Sequence, residues 1–386
     1  MQMPFQTVTF RNPDGGGAVL PETSRQIIVA RVLCIFFMMG VHVSPGFEAA
    51  AYGPSDAMHW IGALWVDVLG RSSVPALSIV SGFLMSVHAG RQGLTGVARD
   101  RFRTLVLPML FWTAVLATLA LAARELAGAE TLTWQRFFGD GPVRLLTEHM
   151  LFLHGHPANV PLAFLRDLFV CCLIVAVLQA RLGRWVVLAL PISVVIWQTV
   201  GYGDLILRPA ILSFVLAGVV LQRWRGDLTL PHGLRLAVRG AMVWVVAQHC
   251  LGWSAPFEAV VPQDMRLLVF RVVVSAFALD MALVLSRGPV LAWLRPWEPV
   301  VYLAYLSHGV VISCLWQGVE PLVGGPTGAA YPVFFLVAPV VALVTARVLA
   351  QGLDHAPSWL QIAVSGKAVP GRRPRLHPDS RLSQAA

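Results

Sequence analysis

Apolar positions in this chain do not alternate with polar ones, as a half-buried strand would require. They run on in long blocks punctuated by Gly, Pro and charge. Ten blocks can be drawn, at 26–45, 68–88, 104–123, 159–180, 185–200, 206–222, 235–252, 266–286, 299–317 and 331–351. Each approaches the ~20 residues that carry a helix across a hydrocarbon core. Several hold an internal Pro or Arg, which suits helices buried in a bundle better than helices facing lipid. The pattern predicts an all-α polytopic membrane protein with about ten transmembrane helices.

Composition agrees: 56% of the 386 residues are hydrophobic and 13% charged, about half the charge of a soluble domain. Mean hydropathy is +0.68. The net charge of +9 invites a nucleic-acid reading, but the basic residues fall between the apolar blocks, as membrane topology requires. Arg11 and Arg25 precede the first block. Arg91, Arg99, Arg101 and Arg103 follow the second, Arg181 and Arg184 the fourth, Arg223 and Arg225 the sixth, and Arg287 and Arg295 the eighth. Lys367 (the lone Lys), Arg372, Arg373, Arg375 and Arg381 mark the tail. The alternate connections are poor in Arg or balance it with acids, as 124–158 does with Glu125, Glu130, Asp140 and Glu148. The positive-inside rule then places both termini in the cytoplasm.

Three parts are expected: a cytoplasmic segment 1–24, a membrane domain 25–352, and a basic, disordered cytoplasmic tail 353–386. Residues 1–24 lack the apolar core and small-residue cleavage site of a signal peptide, so the first span is expected to be its own anchor. Trp134 to Phe138 reads as an amphipathic stretch lying along the membrane surface. Cys34, Cys171, Cys172, Cys250 and Cys314 all sit in apolar segments without metal-ligand spacing and read as packing residues.

Against this background the polar residues inside the blocks stand out. Arg31 and His42 are separated by eleven helical steps, which return to within about 20° of the same face and rise ~16 Å. A cation and an imidazole aligned in a hydrocarbon-embedded helix are costly unless they face protein, water or ligand. They suggest a polar track running inward, with His42 as general base. A snorkelling Arg and a His bonded inside the bundle form the plainer alternative.

In the second block, Val74-Pro75 frees a carbonyl and Ser81-Gly82-Phe83 admits a close neighbour, both packing features. Arg99, Arg101 and Arg103 precede Pro108, and their guanidinium forks match an anionic ligand's phosphates as well as they match topology. Arg166 and Asp167 are adjacent, about 100° apart on a helix, and are expected to meet different partners. Tyr302, Tyr305 and His308 share one block, with Tyr305 and His308 on one face. Arg271 and Asp280 point to opposite faces and cannot pair. His154-Gly-His156 is half a metal site without further ligands, so no metal is expected.

Taken in order, these segments resemble the acyltransferase 3 family of membrane-bound O-acyltransferases. The resemblance rests on Arg31-x10-His42, on Val74, Pro75, Ser81, Gly82 and Phe83, and on Arg101, Arg103, Pro108 and Trp112. It continues through Phe164-Leu-Arg-Asp-Leu168 to Tyr305, Leu306 and His308, covering about residues 25–350. Two positions depart from it: Leu77-Ser78 stands where an aromatic pair is common, and Ala163 where a Trp is favoured.

The resemblance implies transfer of an acetyl or succinyl-like group from acyl-CoA to hydroxyls of a surface or secreted glycan, in a bacterial inner membrane. A cellulose- or xanthan-type exopolysaccharide is the expected acceptor, free or lipid-linked, with a polysaccharide synthase complex as partner. It also implies His42 as base or acyl carrier and Arg31 at the mouth of a CoA site with Arg101 and Arg103. Arg166, Asp167, Tyr305 and His308 would bind substrate, with Arg166 or His308 at the oxyanion or the acceptor. The competing class is a multi-span exporter or accessory protein of polysaccharide production. Against export, no inverted repeat is visible.

Overall fold

The computed structural model describes residues 19–43, 57–88, 93–128, 132–139, 141–153, 157–251 and 262–368. The His154-Gly-His156 pair, the segment before residue 19 and the tail beyond 368 lie outside the described residues. The helices are α1 (Pro21–Val41), α2 (Ala57–Gly62), α3 (Arg71–Val87), α4 (Leu94–Arg101), α5 (Leu107–Ala127), α6 (Leu132–Phe138), α7 (Pro142–Arg144) and α8 (Ala163–Leu182). They continue with α9 (Ala189–Thr199), α10 (Ala210–Arg225), α11 (His232–Leu251), α12 (Gln263–Ser286), α13 (Val290–Leu294), α14 (Glu298–Val323), α15 (Tyr331–Leu353) and α16 (Ser358–Ser365).

Helix α1 starts earlier than the apolar pattern implies, because Pro21 occupies a first-turn position whose missing N–H costs nothing and Glu22 follows beside the positive helix end. Arg31 therefore lies at the midpoint of α1 rather than near its end, and His42 is the residue that caps it. Helix α1 packs against α3, α12, α14 and α15, which makes it the central rod of the bundle.

Two prolines shape the helices beside it. A π-helical stretch, Ala63–Gly70, joins α2 to α3 ahead of Pro75. A second, Phe102–Val106, joins α4 to α5 ahead of Pro108. Proline has no N–H for the carbonyl four residues back. For Pro108 that carbonyl is Thr104's, and the Tyr302 hydroxyl donates to it instead at 2.5 Å. The proline thus ties α14 to α5.

The closest helix pair is α3 with α10. A Cβ on Gly82 would collide with the Val215 carbonyl, and one on Gly218 with the Ile79 carbonyl, so backbone lies on backbone. The Ser86 hydroxyl donates to Gln222 at 2.8 Å across the same seam.

The described residues form an all-helical protein in which seven stretches are long and apolar enough to cross a membrane. The blocks expected at 159–180 and 185–200 share one such stretch, Val160–Thr199, broken by a 3-10 turn at Gly183–Leu188. Those expected at 206–222 and 235–252 form α10, only 16 residues long, and α11, and neither is among the seven. Two further expectations change. Helix α6 buries Phe137 and packs on α5, with Arg124 over the Trp134 ring at 3.9 Å, so it is part of the folded body. Residues 358–365, expected in the disordered tail, form α16 against α5. Its apolar residues, among them the buried Val364, supply the packing energy that the tail's overall composition hides.

Candidate functional site

One end of the bundle opens into a basic cleft of about 1010 Å³. Arg31, Arg99, Arg101, Arg103, Tyr302 and Lys367 line it. Arg31 bonds Glu298, the first residue of α14, at 2.7 Å, and is 30% exposed, so the remaining donors of its guanidinium face the cleft. Glu298 gave no sequence signal, being one acid before a proline. Arg99, Arg101, Arg103 and Lys367 have no hydrogen bond or ion pair from their side chains among the described residues. Asp100 is the acid in this lining. A cleft walled by unpaired cations is built for an anion.

From this cleft a row of rings leads inward. Tyr302, Tyr305 and His308 follow one another at three-residue steps along α14, Tyr305 and His308 on one face as the periodicity predicts. Tyr302 stacks on Tyr305 with centroids 6.2 Å apart, Tyr305 is 5.8 Å from His308, and His308 is 5.6 Å from His42. The rings of α14 thus connect the cleft to His42 through packed contacts. Tyr305 is fixed by its hydroxyl donating to the Pro161 carbonyl at 2.7 Å. His308 is fully buried, and its Nδ1 sits 2.5 Å from the Tyr305 carbonyl. A carbonyl only accepts, so the Nδ1 carries the proton and Nε2 offers a lone pair when the ring is neutral. That Nε2 has no partner among the described residues.

Arg166 and Asp167 meet different backbone partners, as expected, but they are also partners to each other. They bond each other at 2.8 Å. They are the fourth and fifth residues of α8, and the long Arg side chain reaches across to its neighbour. Arg166 also donates to the carbonyls of Leu205, Asp204 and Leu153. Asp167 accepts from the backbone N–H groups of Leu207 and Arg208 at 3.1 and 3.0 Å. The pair braces the segment ahead of α10 and with it Arg208, whose charge reaches both His42 and Tyr305. Arg208 and the buried Asn159, beside Gly309 one residue past His308, are site neighbours that sequence reasoning missed. Each is an isolated loop residue with no periodic partner.

The charged residues of α12 are also engaged. Asp280 is clamped by Arg235 and Arg239 of α11 at 2.6 and 2.7 Å, and Arg271, on the other face of α12, lies over the Trp197 ring at 5.6 Å. Pro75, Gly82 and the buried Pro108 shape the helices around the site, and Ser81 lies on α3 beside Gly82. Cys34, Cys171 and Cys172 are buried, whereas Cys314 is exposed. Among the described residues no three His, Cys, Asp or Glu gather as metal ligands.

Residues 25–350 match the acyltransferase 3 family, described as an acyltransferase domain. The succinoglycan biosynthesis protein ExoH of Rhizobium meliloti (strain 1021) is 24% identical over 336 residues, covering 83% of this chain and 86% of its own length. No solved structure matches the chain. With a family match across nearly all of the helical body, this multi-pass membrane protein belongs to the acyltransferase 3 family.

Proposed function

We propose that the protein is an O-acyltransferase that takes an acetyl or succinyl-like group from acyl-CoA at the basic cleft and delivers it to a hydroxyl of an exopolysaccharide, free or lipid-linked. The observation that carries this reading is the ring row from Tyr302 in the cleft to His42. It joins a site suited to phosphates to a pair of imidazoles. The similarity to a succinoglycan biosynthesis protein supports an exopolysaccharide acceptor, of which a cellulose-type glucan is one form. In this reading the cleft faces the cytoplasm, where acyl-CoA is made. The chain crosses a bacterial inner membrane about ten times with both ends on that side, and it works beside a polysaccharide synthase. The arginines between alternate helices support that orientation.

The chemistry follows from the groups present. The CoA phosphates rest on Arg101, Arg103 and Arg31, and the thioester reaches inward along the rings toward His42. The His42 imidazole takes the acceptor hydroxyl's proton as its oxygen bonds to the thioester carbonyl carbon. The C–S bond then breaks, and the thiolate recovers that proton from the imidazolium. In the relay form, His42 itself attacks, CoA leaves as the thiol, and the acyl-imidazole passes its acyl group to the hydroxyl. The tautomer of His308 bears on its role. With Nδ1–H given to the Tyr305 carbonyl, a neutral His308 accepts at Nε2, which suits holding a hydroxyl and not an oxyanion. Arg166, already bonded to Asp167 and three carbonyls, acts by bracing Arg208 rather than by reaching the reacting atoms.

The test is the acyl content of the host's secreted glycans by mass spectrometry in a deletion strain, with wild-type and His42→Ala rescue. Loss of one ester, restored by wild type alone, is expected. Unchanged esters with altered glycan yield or location would point to export or assembly instead.

A further inference from the structure

Lys367 is the single lysine of a chain whose other basic residues are arginines, and it lies beyond residues 25–350 of the acyltransferase domain. Its place is nevertheless well fixed. The Trp112 indole N–H donates to the Val364 carbonyl at 2.9 Å, pinning α16 to α5. The Gln361 amide ties α16 to the end of α15 and the turn after it through the Leu353 and Ala356 carbonyls, at 2.9 and 3.0 Å. Helix α16 then ends at Gly366 with φ 74°, and a Cβ there would stand 2.9 Å from the Thr104 backbone. Only glycine allows both that turn and that approach. The turn delivers Lys367 to the cleft wall, within electrostatic reach of Arg31 and Arg101.

Glu298 is engaged by Arg31, leaving Asp100 as the acid in the cleft lining against Arg99, Arg101, Arg103 and Lys367. Like charges converging on one space are repulsive until an anion with several charged groups enters it. Three of these cations come from α4 and the π-helical stretch that follows it. Lys367 comes from a separate segment, which packs beside that stretch where Gly366 meets the Thr104 backbone, so a phosphate group in the cleft would meet cations from two parts of the chain. We propose that Lys367 is a phosphate-binding residue of the donor cleft, contributed by the C-terminal segment that follows the acyltransferase domain. This rests on the acyl-CoA reading above. Lys367 holds the nucleotide end of the donor at the mouth while the pantetheine arm runs inward past Tyr302, so it governs donor affinity and not the chemical step.

A lone lysine makes the test direct. Purified full-length protein in lipid nanodiscs is treated with an amine-acetylating N-hydroxysuccinimide ester, with CoA, with pantetheine (which lacks phosphates) or with neither, and modification at Lys367 is read by peptide mass spectrometry. CoA binding to wild type, Lys367→Met and Lys367→Arg is measured by calorimetry. We expect CoA, and not pantetheine, to protect Lys367 severalfold. Lys367→Met should weaken CoA binding roughly tenfold, the scale of one charge-assisted contact, with Lys367→Arg restoring most of it. If CoA binds wild type while labelling and the Lys367→Met affinity stay unchanged, Lys367 is not a donor residue and the donor reading survives. If CoA does not bind wild type, the donor reading falls and takes this assignment with it.

Discussion

At the Arg31 end of the ring row, four cations line an open cleft without an ion pair among the described residues, whereas on α8 the charges of Arg166 and Asp167 are spent on each other and on backbone groups. The difference follows from solvation. Water enters the cleft and screens like charges until a ligand replaces it. Asp167 has no exposed surface, and a bare carboxylate there would cost several kcal/mol, about 3–5 if its partner were removed. The same residue type is therefore left open to solvent in one place and built into the architecture in the other. A substitution series can separate the two.

The largest effect is expected at the reacting group. His42→Ala should lower turnover by roughly 10²–10⁴-fold, the range for losing a positioned acid–base group, while CoA binding at the cleft persists. Equal losses of turnover and CoA affinity would show that the two ends are not separable. Next comes the brace. Asp167→Ala leaves Arg166 and the Leu207 and Arg208 N–H groups without their acceptor and should cost about 3–5 kcal/mol in unfolding measured in detergent, with high salt giving little relief. A stability loss below about 1 kcal/mol would argue that the pair is not structural.

Smaller effects belong to the open end. Arg101→Ala or Arg103→Ala should each raise the donor KM about tenfold at low salt with kcat nearly unchanged, the scale of one hydrogen bond to a charged group. The penalty should shrink at 1 M salt, where the Debye length falls to about 3 Å. A salt-independent penalty would place these arginines in packing instead of recognition.

The sequence makes the periodic part of this arrangement legible and the irregular part obscure. The shared face of Tyr305 and His308 is helix arithmetic, and the structure brings their rings to 5.8 Å, with Tyr302 stacked one step earlier. Pro108 shows half its role in advance: a missing N–H frees a carbonyl, but only the fold shows that Tyr302 takes it. The Arg166–Asp167 bond escapes face-counting because a long Arg side chain can reach a neighbour about 100° round the helix. Arg208 and Asn159 fall at the edges of the apolar blocks 206–222 and 159–180, but the structure places both in the connections ahead of α10 and α8. The membrane blocks near 206–222 and 235–252 are weak for a related reason. Helix α10 packs backbone to backbone on α3, so it needs neither full length nor apolar excess to be held. Helix α16 is masked by its surroundings, since eight residues of amphipathic helix are diluted by the Pro- and Arg-rich tail.

The subtlest effect separates the cleft's cations from one another. Arginines stay charged across the workable pH range, whereas Lys367 can lose its proton. Partial burial in the cleft, followed by the Arg31 charge, holds its ammonium below the ordinary lysine value of about 10.4. Arg101 acts in the same direction as Arg31, while Glu298 and Asp100 oppose them. A lowered pKa means that the cation is present at lower pH and lost as pH rises through that value, sooner than for a free lysine. Phosphate binding favours the charged form, so donor affinity should fall over the same interval. The donor KM of wild type is expected to climb severalfold on the alkaline side, with a flatter profile for Lys367→Arg and for a pantetheine thioester, which has no phosphate to lose. If Lys367→Arg keeps the full alkaline rise, the titrating group is elsewhere, and the distinction between the lysine and its neighbouring arginines has no functional consequence.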